Sequence, residues 1–234
     1  METIQVQGEE ALHTLNRVKF ATNRRTFLQL AGASLGMVMI GCSNSTSTTT
    51  TTGVDLGTGD AGILNYAYAL EQLEAAFYTQ VVASFYSGAS ASEKQILSDI
   101  KNHEVAHREF FKAALGSGAI ANLEVNFSTI DFTSRTSVLT TAQTFEDLGV
   151  AAYNGAGQLL QSADYLTAAG KIVSVEARHA AAIRDLINPK TASFAGDDVI
   201  DATSGLDRAF TPAMVLTAAG PYIKTSIDAS HLPS

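Results

Sequence analysis

The chain has 234 residues, 46% apolar and 16% charged, with a formal charge of -8, no Trp and a single Cys. The apolar fraction excludes a disordered chain, and one Cys excludes both an internal disulfide and a four-Cys zinc site. The acidic balance argues against nucleic acid as a partner, and the length suits one domain with an extension.

Residues 1–41 read as an address rather than as fold. A polar start leads to Asn23-Arg24-Arg25-Thr26-Phe27-Leu28, and residues 26–41 carry no charge. That apolar stretch is short for a membrane span, which needs roughly 20 residues. The arginine pair before it resembles a twin-arginine export signal, which implies a periplasmic or cell-envelope location. Cys42 follows Met39-Ile40-Gly41 and resembles a bacterial lipoprotein processing site, so a lipid on Cys42 would hold the protein to a membrane. The alternative is a plain signal peptide with an incidental Cys. Residues 42–60 form a Ser/Thr-rich tether, with SNSTSTTTTTG at 43–53 and nothing to bury.

Four long helices follow. Residues 62–86 have no Pro and place Ile63, Ala67, Leu70, Phe77, Val81 and Phe85 at helical spacing. Ser90 or Ser92 can cap the second helix, with Glu93 or Gln95 as capping-box partner, and Gly116 stops it. A third helix is expected over about 133–158, where Gly149, Gly155 and Gly157 weaken the helical signal. A fourth runs over 163–187, capped by Ser162 and stopped by Asn188-Pro189. No alternating stretch is long enough to claim a sheet. Short loops make each consecutive pair a hairpin, while residues 116–132 can travel the length of a bundle. Two hairpins and one long crossover make an all-α, ferritin-like arrangement of a four-helix bundle over 61–190. The extension, 191–234, carries Thr211-Pro212 before a short apolar helix over 213–219.

Each helix carries a carboxylate in its apolar stripe. Glu71 has Tyr78 seven residues on, and Glu146 has Tyr153 seven on. Glu104 has His107 three on, and Glu176 has His179 three on. These steps keep each pair on one helical face. A buried carboxylate without a partner is costly, and a metal held by several of them removes that cost. One Glu from each of two helices plus Glu-x-x-His from each of the other two is the pattern of dinuclear carboxylate bundles. Measured from the hairpin loops at about 1.5 Å per residue, all six side chains fall roughly 18 to 22 Å along the bundle. Random placement predicts about 0.2 Glu-x-x-His and 0.3 Glu-x6-Tyr matches, against two of each. Glu74 shares a face with Glu71 and competes with it as the ligand; the Tyr spacing favours Glu71. His103 neighbours the stripe and reads as a hydrogen-bonded or edge histidine, and Arg108 and Arg178 as partners of outer-face acids.

LNYAYALEQLEAAFY, IKNHEVAHREFFKAALG, TAQTFEDLGVAAYNGAG and AAGKIVSVEARHAAAIRDL, between residues 63 and 186, resemble the ferritin-like superfamily, and especially exported bacterial members related to desiccation-associated proteins. The resemblance implies Glu71, Glu104, His107, Glu146, Glu176 and His179 as ligands of two iron or manganese ions. It implies Tyr78 and Tyr153 as the catalytic partners that hydrogen-bond ligands or quench radicals. The function it implies is redox chemistry in stress protection, with peroxide, oxygen or ferrous iron as small-molecule partner. Manganese catalases and rubrerythrin-like peroxidases resemble the motif set equally well. Assembly of identical chains stays open. The alternative is a metal-stabilised, non-enzymatic envelope protein of desiccation or stress. His103-Glu104-Val105-Ala106-His107 is also an HExxH zinc-protease motif, a reading that leaves the other three motifs unexplained.

Overall fold

Helix ends in this chain are set by polar side chains and glycines flanking apolar runs. The computed structural model describes residues 53–233; the readings of 1–41 as a signal and of Cys42 as a lipid site lie outside them. Four long helices follow a short strand β1 (Val54–Asp55): α1 (Gly59–Ala83), α2 (Ala91–Leu115), α3 (Arg135–Gly157) and α4 (Ala163–Ile187). The Ser90 hydroxyl accepts from the Glu93 amide while the Glu93 carboxylate accepts from the Ser90 amide, a reciprocal cap that opens α2. Ser134 and Ser162 cap α3 and α4. Gly116 closes α2 at a φ of 55°, a left-handed value natural to glycine. The expected first helix is displaced toward the N-terminus. It begins at Gly59 and ends at Ala83, so Tyr86 is a buried loop residue.

Helices α1 and α2 form one hairpin and α3 and α4 the other. Tyr78 of α1 reaches Glu146 of α3 while Tyr153 of α3 reaches Glu71 of α1, so these helices run antiparallel. Glu104 lies 2.8 Å from His179, and His107 lies 2.9 Å from Glu176, so α2 and α4 are antiparallel as well. The segment between α2 and α3 therefore crosses the full height of the bundle. Polar groups on α1 fasten it. Asn65 donates to the carbonyls of Leu56 and Gly118 and accepts from the Ile120 amide, and Gln72 accepts from the Leu123 amide. This is why α1 is buried on nearly every side rather than along one stripe.

The C-terminal segment completes that cover. Its short helix α5 (Pro212–Ala219) packs on α3, and its strand β2 (Ile227–Asp228) pairs in parallel with β1. Two residues per strand are too few for an alternating pattern, so this sheet left no trace in the sequence. The strand also places residues 53–60, expected as tether, inside the fold; Leu56 is fully buried. Phe210 donates its amide to the Ala151 carbonyl, and its own carbonyl lies where a Cβ on residue 155 would stand. Gly155 thus buys a close backbone approach within a helix. Arg184, almost fully buried, bonds both Asp147 and Asp198 and ties the segment to α3 and α4. No helix among the described residues is long and apolar enough to cross a membrane.

Candidate metal centre

All six candidate ligands meet at one level inside the bundle. Glu71, Glu104, Glu146 and Glu176 are completely buried, and His179 nearly so. Their donor atoms form two overlapping groups that could each hold a metal ion: Glu71, Glu104, His107 and Glu176 in one, and Glu104, Glu146, Glu176 and His179 in the other. Within each group the four atoms lie within 4.8 Å of one another. Glu104 and Glu176 belong to both.

The shared carboxylates divide their oxygens between the groups. Glu104 turns Oε1 to His179 Nδ1 at 2.8 Å and Oε2 to His107 Nδ1 at 3.6 Å. Glu176 turns Oε1 to His107 Nδ1 at 2.9 Å and Oε2 to His179 Nδ1 at 3.6 Å. Glu71 and Glu146 are unshared. Each gives one oxygen to a tyrosine and presents the other, Oε2, to a histidine, at 3.6 and 3.3 Å. The tyrosines cross the bundle: Tyr78 donates to Glu146 and Tyr153 to Glu71. The residues picked out by the seven-residue spacing come together here, but neither tyrosine pairs with the Glu of its own helix, because seven residues are two turns and about 10 Å of rise.

Eight buried polar atoms here have no well-formed hydrogen bond. They are Oε2 of Glu71 and Glu146, both oxygens of Glu104 and Glu176, and Nδ1 of His107 and His179. Buried polar atoms are normally satisfied, so eight orphans converging on one place fit a cation held by oxygen and imidazole donors. Burial and the neighbouring carboxylates push Glu71 well above the ordinary carboxylate range, and Glu146 up to about 8. Burial also opposes charge on Glu104, yet the adjacent His107 and His179 hold it at about 2. Burial would lower both histidines, but the surrounding carboxylates push each up to about 12. His107 and His179 thus carry protons that a metal must displace, so metal uptake releases protons and strengthens as pH rises. Burial keeps Tyr78 and Tyr153 protonated, so they act as donors.

Two residues that the sequence left ambiguous also stand here. Glu74 lies outside both donor groups, yet it is buried beside them. His103 bonds through Nδ1 to Nε2 of His179 at 2.9 Å, with the rings stacked. In the HExxH reading both histidines would bind one metal. Here His103 stands behind a ligand candidate, and the two oxygens of Glu104 face His179 and His107. Arg108 pairs with Glu109 on the surface.

A helical bundle of two hairpins with carboxylate and histidine groups that could hold metal ions at its centre fits a ferritin-like metal protein. The ferritin-like domain family matches residues 59–189, and the chain belongs to that family. The match covers α1 to α4 and ends as the C-terminal segment begins. A search of curated proteins finds no match to the chain.

Proposed function

We propose that this protein is an exported ferritin-like protein holding two iron or manganese ions, and that it carries out redox chemistry on peroxide, oxygen or ferrous iron. The observation that supports it is the donor count. Four residues serve each position, and two carboxylates have one oxygen for each. Two adjacent redox-active ions supply two-electron exchange with a small oxidant or reductant. The chain's own residues hold the site dry and fixed. The tyrosines orient Glu71 and Glu146, and α1 and α3 are sealed by the crossover and C-terminal segment. Solvent approaches from the α2/α4 side, where the His107 side chain is 13% exposed and His103 is exposed. Export is supported by Arg24-Arg25 and the uncharged stretch after them.

The test is metal analysis of protein purified from its native compartment, followed by peroxide consumption, oxygen evolution and ferrous-iron oxidation. The Glu104→Ala variant should lose both metals and all three activities. Metal-loaded protein inactive in every assay favours a structural role in the cell envelope. Metal-free protein that takes up none on addition removes the proposal.

A further inference from the structure

The bundle core repeats itself. Glu71 and Tyr78 on α1 correspond to Glu146 and Tyr153 on α3, and Glu104 and His107 on α2 to Glu176 and His179 on α4, each pair in the same order and spacing. Tyr78–Glu146 and Tyr153–Glu71 are the same contact seen from the two sides. The repeat fails at two positions near the centre. Glu74, three residues after Glu71, corresponds to Gly149, three after Glu146; His103, four before His107, corresponds to Val175, four before His179.

Both departures fall on the same half. A Cβ at Gly149 would stand 3.2 Å from Oε1 of Glu74 and 3.7 Å from Oε2 of Glu176, so the glycine makes room for the Glu74 carboxylate beside that oxygen. Oε2 of Glu176 is the oxygen turned to His179. Glu74 is 4% exposed, and no described residue donates a hydrogen bond to it. His103 bonds the free ring nitrogen of that same His179. Its counterpart Val175 has no hydrogen-bonding atom, and the His107 side chain is the more exposed of the two histidines, 13% against 5%.

We propose that the two metal positions are unequal, and that Glu74 and His103 make the Glu146/His179 position the one that binds more tightly and holds its ion longer. Glu74 adds a further carboxyl group beside it. His103 accepts the outer N–H of His179 and fixes the ring with Nδ1 facing the centre, the usual task of a partner behind a metal-binding histidine. The Glu71/His107 position, lacking both, is the exchangeable one and lies nearer solvent. The inference rests on the dinuclear reading above.

The experiment is anaerobic titration of the metal-free full chain with manganese(II), followed by calorimetry and by the free-ion electron spin resonance signal. Wild type should fill in two steps separated by about tenfold or more. His179→Gln should abolish the tight step and His107→Gln the weak one. Glu74→Gln and His103→Phe should each weaken the tight step, by roughly 10- to 100-fold for a partner of this kind, and leave the weak step in place. Exchanging the two residues, Glu74→Gly with Gly149→Glu, should narrow the gap between the two steps, because His103 stays behind His179. Circular dichroism checks the fold, and His103→Phe carries the test if the Glu74 variants do not fold. Two equal steps, equal weakening of both steps by Glu74→Gln and His103→Phe, or a tight step that survives His179→Gln, overturns the inequality and leaves the dinuclear reading intact. Absence of any binding of manganese(II), and of ferrous iron titrated in the same way, overturns the dinuclear reading itself.

Discussion

Sharing of Glu104 and Glu176 between two positions makes thermal stability a counting assay for the site. A metal that binds only the folded chain stabilises it by about 2.7 kcal/mol per site at a free concentration 100 times its dissociation constant. Two sites give about 5 kcal/mol. A domain of this size shifts its melting temperature by about 2–4 °C per kcal/mol, so saturating manganese(II) should raise it by about 10–20 °C over the metal-free protein. The variants then separate the roles. Glu71→Gln removes a donor from one group only, and so does Glu146→Gln, so each should keep part of the metal-induced shift, Glu71→Gln the larger part because it leaves the tighter position intact. Glu104→Gln removes a donor from both groups and should abolish nearly all of it. Each variant is compared with its own metal-free form by differential scanning calorimetry, which cancels the effect of the substitution on the empty bundle. A Glu104→Gln protein that keeps as large a shift as Glu71→Gln would refute the shared carboxylate, and with it the paired site.

The crossed tyrosines give a second test. Tyr78→Phe should weaken metal binding at the position of Glu146, and Tyr153→Phe at that of Glu71, by about 10- to 100-fold in a metal titration. Each should also destabilise the bundle by about 1–3 kcal/mol through an oxygen left unpaired. Gly155→Ala forces the Phe210 backbone away and should destabilise by about 1–3 kcal/mol, with faster limited proteolysis of the C-terminal segment. Burial alone would raise Glu93, but the Ser90 amide and the Arg135 guanidinium outweigh it and hold the carboxyl at about 2, below its ordinary 4.5. Its contribution is therefore fully present above pH 4.5 and lost as pH falls toward 2. Glu93→Gln should destabilise by about 1–2 kcal/mol at pH 6, and the gap to wild type should close in acid denaturation at pH 2.

The amino-acid sequence alone determined the helices and the residues of the site. Helical spacing, Ser90 and Ser162 as caps, and Gly116 and Asn188-Pro189 as stops are local signals, and α2 and α4 follow them closely. The Glu-x-x-His and Glu-x6-Tyr steps were equally legible, because a helix converts fixed spacing into a common face. What only the tertiary structure decided is long-range. The pairing of Tyr78 with Glu146 and Tyr153 with Glu71 depends on α1 and α3 lying antiparallel side by side. So does the division of Glu104 and Glu176 between two histidines, which no spacing within one helix encodes. Gly149 and Gly155 weakened the helical signal, and the packed bundle explains them, one making room for Glu74 and the other for the Phe210 carbonyl. Spacing along a chain fixes what a helix can present; which groups meet is set by how the helices pack.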